Sequence, residues 1–224
     1  MGDHTHAKDG WMVSYRYMQM NMDGMRHGTD RVSTSDVFAN GYTVSPESMT
    51  MDMHMLGLMY APTDKLTLML MANYIETEMD HRIFSQMAAN MIHAGDTTFT
   101  TKTSGIGDLK IGGLYRFYLK ENRKAHFGLS LSLPTGSIDE KDTTPGMGGP
   151  AKRQLPAPMQ LGSGTVDLLP SLTYVQQFGN WSYGAQANAV IRLESENDHD
   201  YQLGNKFGLT TWAGYNLNKW LGLN

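Results

Sequence analysis

Apolar and polar residues alternate with a period of two along most of this chain, and long helical periodicity is missing from it. Over residues 11–22, Trp11, Val13, Tyr15 and Tyr17 take one face, and Met12, Ser14, Arg16, Met18, Met20 and Met22 take the other. Over 51–60, Leu56, Leu58 and Tyr60 oppose Met51, Met53, Met55, Gly57 and Met59. Over 66–79, Leu66, Leu68, Leu70, Ala72 and Tyr74 oppose Thr67, Met69, Met71, Asn73, Thr77 and Met79. The same pattern predicts strands near 109–119, 126–133, 166–175, 182–193 and 201–215, which makes eight in all. Gly112 and Gly113 suggest a bulge, and Pro170 sits badly in a central strand. Residues 220–224 open like a ninth strand.

The connections alternate too. Short polar turns at 61–65, 120–124, 178–181 and 216–219 separate longer loops at 23–50, 80–103, 135–164 and 194–200. Outer-membrane barrels keep short turns on the periplasmic side and long loops outside. A soluble sandwich or lipocalin-like barrel also alternates in its strands but has no reason to keep this rhythm. Trp11, Tyr60, Tyr74, Trp181, Tyr215 and Trp220 lie near strand ends, where aromatic girdles belong. The expected fold is all-β: an antiparallel up-and-down transmembrane β-barrel, one domain over 1–224, with outward faces against outer-membrane lipid.

Composition adjusts this picture at a few points. A mean hydropathy of −0.40 alone would suggest a soluble protein. No stretch approaches the ~20 apolar residues of a spanning helix. A barrel evades both tests, because only alternate residues meet lipid. The formal charge of −4, with no basic stripe, speaks against nucleic acid as a partner. The absence of cysteine excludes disulfides and thiol chemistry. Met1-Gly2-Asp3-His4 has no basic or apolar region of a signal peptide, so residue 1 reads as the start of a processed or trimmed chain. The strand series breaks off mid-pattern, which reads as C-terminal truncation. Nothing in the pattern specifies an oligomeric state.

Several motifs carry a resemblance. Gly10-Trp11-Met12, Ser14-Tyr15-Arg16-Tyr17-Met18, Met51-Asp52-Met53-His54-Met55-Leu56-Gly57 and Met59-Tyr60-Ala61-Pro62 are among them. So are Leu133-Pro134-Thr135-Gly136-Ser137-Ile138-Asp139 and Gln160-Leu161-Gly162-Ser163-Gly164-Thr165. Together they resemble outer-membrane "transporter" barrels of Gram-negative bacteria, distant relatives of proteins named for phenol meta-cleavage pathways. The resemblance spans essentially the whole chain. It implies outer-membrane location, passive transport and about twelve strands in the complete barrel. It carries over no substrate and no catalytic residue.

Methionine is the chemical anomaly: 18 of 224 residues, all but Met147 and Met159 at or before Met91. Thioethers are soft ligands that favour Cu(I) or Ag(I). An outward-running first strand and an inward-running second would place Met18, Met20 and Met22 level with Met51, Met53 and Met55. Met79 would join that level, with Met69 and Met71 deeper. These nine residues are the candidate contacts for a soft metal ion, with Cu(I) as the candidate bound ion. Met is equally a flexible apolar filler, which would suit a channel for small hydrophobic or aromatic molecules. A non-conducting metal-binding or structural barrel is the third reading. His54 and Asp52 share an outward face and are expected to bond to each other at the outer rim, while His27, His81, His93 and His199 are expected in solvated loops. Ser130 and Ser132 share a face with His126, but no acid completes a nucleophile–base–orienter set, so an enzyme is not expected. The expected function is an outer-membrane pore or transporter for small solutes, with soft metal ions as the sharper version.

Overall fold

The computed structural model describes Gly2, residues 4–217 and residues 222–223. Its elements begin with β1 (Trp11–Asp23), β2 (Met25–His27), β3 (Asp30–Val32), α1 (Thr34–Ala39), β4 (Val44–Tyr60), β5 (Leu66–Ile83) and α2 (Gln86–Met91). They continue with β6 (Thr98–Ile106), β7 (Leu109–Lys120), β8 (Arg123–Leu133), β9 (Lys141–Thr144) and β10 (Ala151–Gln154). The last are β11 (Asp167–Phe178), β12 (Trp181–Arg192), β13 (Lys206–Asn216) and β14 (Gly222–Leu223). One 10-stranded antiparallel sheet runs in the order β1-β4-β5-β7-β8-β11-β12-β13-β14, with β6 paired to β5. Wall strands that follow one another in the chain are neighbours in the sheet, as an up-and-down barrel requires. Among the described residues β1 pairs with β4 alone and β14 with β13 alone, so the curled sheet is open at these two edges.

All eight predicted segments contain strands, but the last, expected over 201–215, begins only at Lys206. Small hairpins (β2–β3 and β9–β10) lie within two expected loops, and other features depart from the sequence pattern. β4 starts at Val44 and β5 runs to Ile83, beyond the predicted limits. Outside the membrane the outward positions turn charged, so the hydrophobic signal fades while the ladder continues. β6 lies inside the expected loop 80–103, because its Thr-rich sequence offers no apolar face. The register is continuous through Gly112 and Gly113, and the irregularity falls between Arg116 and Tyr118 instead. Residues 220, 221 and 224 of the expected ninth strand lie outside the described residues; Gly222 pairs with Asn216.

Pro170 keeps its place in β11 opposite Leu129 of β8. On its other side the ladder to β12 has a gap between the pairs Leu168–Ile191 and Ser171–Asn188. Proline lacks the N–H that would close it.

The outward face identifies the membrane zone. On β5, exposed Leu68, Leu70 and Tyr74 give way on the same face to Glu76, Glu78 and Asp80. At the short-turn end, Trp11 packs on Tyr60 with ring centroids 4.3 Å apart, and Trp181 on Tyr215 at 4.8 Å. An apolar band edged by aromatic rings matches a bilayer rather than water. No helix among the described residues is long and apolar enough to cross a membrane; the crossing elements are strands.

Candidate functional site

The inward face of β1, β4 and β5 is built from methionine because the side-chain period of a strand is two. Register decides which of these side chains meet. Met18 lies opposite Met53 and Met20 opposite Met51. Met22, Met49 and Met79 form one row across three strands near the outer end. Met12, Met59 and Met69 form a second row near the short-turn end. Of the remaining candidates, Met55 faces Arg16 and Asn73, and Met71 faces Gly57 and Lys110. Met79, Leu155 and Met159 make a buried cluster against which Met49 packs. Met49, which the alternation over 51–60 did not include, therefore joins Met59 on this face, and Met159 packs against it from the connection between β8 and β11. The two residues on the outward face behave differently from expectation. His54 Nδ1 pairs with the Tyr15 hydroxyl at 2.7 Å, and Tyr17 donates to Asp52 at 2.5 Å, so tyrosines of β1 separate the expected His–Asp pair.

The long connection between β8 and β11 folds inward, where its Leu155 and Met159 pack on Met79 of β5. Asp108, between β6 and β7, anchors it by accepting N–H bonds from Gly136 at 3.0 Å and Ser163 at 2.8 Å. The Ser163 hydroxyl donates to the same carboxylate at 2.9 Å. Leu161 and Gly162 both donate backbone N–H to the Ser137 carbonyl. The two motifs around Ser137 and Leu161 thus pack on each other, so closely that Gly162 has no room for a Cβ against the Gly136 carbonyl. Thr103 donates to the Met159 carbonyl at 2.9 Å and fixes the loop to β6.

Beneath this loop two cavities lie in series. The outer one, of about 300 Å³, is bounded by Met53, Ile75, Asp108, Leu161, Asp167 and Arg192. The inner one, of about 230 Å³, is bounded by Met69, Met71, Leu114, Ser171, Gln186 and Asn188. Lys110, Leu169 and Val190 line both. Asp167 is ion-paired with Arg192 and accepts from the Thr165 hydroxyl at 2.9 Å. Trp212 lies over Gly184 so closely that no side chain fits there, which puts an indole on the inward face of β13.

The described residues ahead of β1 enter the interior at the short-turn end. A turn over Ala7–Gly10, with Asp9 at φ 62°, reverses the chain ahead of β1. Asp9 donates to the Ala61 carbonyl at 2.7 Å, and Lys8 N–H to Asp64 at 3.0 Å. The strap then runs into the barrel, where His6 N–H donates to Thr67 at 3.2 Å. Its Gly2 carbonyl accepts from His126 Nε2 at 2.7 Å, Gln186 Nε2 at 3.2 Å and Thr173 Oγ1 at 3.5 Å. A carbonyl can only accept, so His126 carries its proton on Nε2. His6, ahead of the first spanning strand, has its pKa lowered by burial and then by His4 beside it.

His126, Thr173 and Gln186 were visible in the sequence only as polar residues on inward faces. Their alignment in one row across β8, β11 and β12 requires the register. Asp108 and Lys110 carried no signal, since neither belongs to a motif. His81, expected in a solvated loop, is half-buried at the end of β5 and stacks on Phe99 at 4.6 Å. His27 lies in the small β2–β3 hairpin, and His199 pairs with Asp139 at 2.9 Å.

No curated protein sequence matches the chain. Among solved structures, an outer-membrane channel from Pseudomonas putida F1 is similar, at 17% identity and a TM-score of 0.60. The match covers 97% of this chain and 70% of that channel. At this identity the likeness speaks to the fold, a barrel of the bacterial outer membrane. The family model described as "Putative MetA-pathway of phenol degradation" matches residues 35–224, most of the chain. By that match, the chain belongs to this phenol-degradation family of outer-membrane β-barrels.

Proposed function

We propose that the protein is a passive outer-membrane channel for small hydrophobic compounds, aromatic ones in particular. The observation that carries this reading is the interior itself. Two cavities of about 300 and 230 Å³ lie in series, lined by aliphatic and thioether side chains interleaved with polar ones, several of them charged in the outer cavity. Apolar walls with polar groups set among them suit compact ligands that combine an apolar body with a polar group. The family's description points to aromatic chemistry, and the Pseudomonas putida relative is described as a channel. Soft-metal traffic as the main activity gives way to this alternative, which fits the family better. Cells with an intact outer membrane that express the protein should take up radiolabelled phenol several times faster than cells that do not. Equal uptake in the two strains would sink this reading.

One observation favours a second cargo. The register sets Met18 against Met53, Met20 against Met51, and Met22, Met49 and Met79 in one row. Thioethers on directly opposite positions of neighbouring strands are suited to Cu(I) or Ag(I). Among the described residues there is no group of three His, Asp or Glu for a harder ion. In this reading Ag(I) binds the parent protein, and binding is lost when Met18, Met20, Met51 and Met53 are changed to Leu.

A further inference from the structure

The Gly2 carbonyl occupies a place that looks made for an oxygen atom. Three donors on three strands converge on it, and two of them, His126 and Thr173, are almost fully buried at 2% and 0% exposure. Thr173 Oγ1 also accepts from Gln186 Nε2 at 2.8 Å, which holds the row in register. Gln186 at the same time lines the inner cavity, so the row of donors reaches the pathway through it. Elsewhere the strap is tied by the His6 N–H to Thr67 and, at its turn, by the Lys8 and Asp9 N–H groups. His4 and Ala7 are exposed, Thr5 and His6 only half-buried. Segments with such exposed residues open at lower free-energy cost than the strands of the wall.

The surrounding charge selects the kind of oxygen. Arg16 lies on the inward face opposite Met55, and Arg116 lies directly beside His126 in the same row. Lys110, Arg192 and Lys206 line the outer cavity, against the carboxylates Asp108 and Asp167. Among these described residues the cations outnumber the carboxylates, and such an excess in a confined interior raises the local concentration of anions.

We infer that His126, Thr173 and Gln186 form a subsite for the anionic oxygen of a small aromatic acid, with the Gly2 carbonyl of the N-terminal strap as its resident occupant. The inference rests on the channel reading for its biological sense and names the substrate class more narrowly. A carboxylate accepts stronger hydrogen bonds from these donors than a peptide carbonyl does. The ring then lies in the inner cavity against Met69, Met71 and Leu114. Binding and strap docking exclude each other, so the ligand opens its own path.

The test uses the whole protein in detergent and in liposomes, with sodium benzoate as probe and toluene as uncharged control. By calorimetry, benzoate should bind at least roughly fivefold more tightly to a chain lacking residues 2–7 than to the parent, because the competing occupant is gone. Gln186→Leu in the strapless chain should weaken benzoate about tenfold, and toluene much less. Thr173→Val, which keeps the shape and removes the hydroxyl, serves as a second variant should the first fail to fold. Equal benzoate affinity with and without the strap overturns the inference, as does unchanged affinity in the folded variants. If benzoate binds in the expected pattern but neither it nor any other solute crosses the liposome wall, the channel reading falls and the subsite stands. Flux of phenol without benzoate binding does the reverse.

Discussion

Asp167 and Arg192 show how an ion pair is kept inside the barrel. Their side chains are 4% and 10% exposed, and Asp167 accepts an additional hydroxyl bond from Thr165. Removing one partner of a buried pair leaves the other charge uncompensated, which costs about 3–5 kcal/mol. Arg192→Leu should therefore destabilise the folded barrel by about 3 kcal/mol, read from urea unfolding in detergent. Adding Asp167→Leu should restore most of that loss, because two apolar residues need no partner. A single variant as stable as the parent would show that water reaches the pair. At this scale the alternation assigned Met18, Met20 and Met51 to the inward face from sequence alone. It could not show that His126 holds the Gly2 carbonyl, since those residues are brought together from distant parts of the chain.

Elements that lack a period were the ones missed. The strap, the helices and the inward-folded loop have no repeating pattern, and their positions follow from individual hydrogen bonds. Helix α1 is started by such bonds: Ser33 and Asp36 cap each other reciprocally, which also holds the Asp36 carboxyl below its usual pKa. The loop over 134–165 depends most on Asp108, whose two oxygens receive Gly136 and Ser163. Asp108→Ala would leave both N–H groups without their acceptor and loosen the loop. Single-channel current should rise, and protease should cut within 145–155 where the parent resists. A variant with the parent's current and resistance would mean that the Leu161 and Gly162 bonds to Ser137 suffice. The motifs flanking this loop were legible as motifs; that they pack against each other was not.

For the whole molecule, the decisive question is which face meets lipid. Leu70 lies on the outward face between Leu68 and Tyr74, near the middle of the apolar band, while Ser130 faces the interior. Leu70→Arg should cost about 2–4 kcal/mol of folding stability in a bilayer, the value for a cation near the midplane. Ser130→Arg should cost less and act on conductance instead. Folding titrations in lipid vesicles compare the two, and the reverse order would mean that the faces are exchanged.

The sequence by itself determined the strands, their facing and the alternation of short turns with long loops. All three are local consequences of a two-residue period and of turn chemistry. Tertiary structure decided the rest: where β6 lies, which methionines stand opposite one another, and what fills the barrel. Those outcomes depend on register and on contacts between residues more than a hundred positions apart, such as His126 with Gly2. A periodic pattern carries no information about them, because it fixes each strand's orientation but not its neighbours.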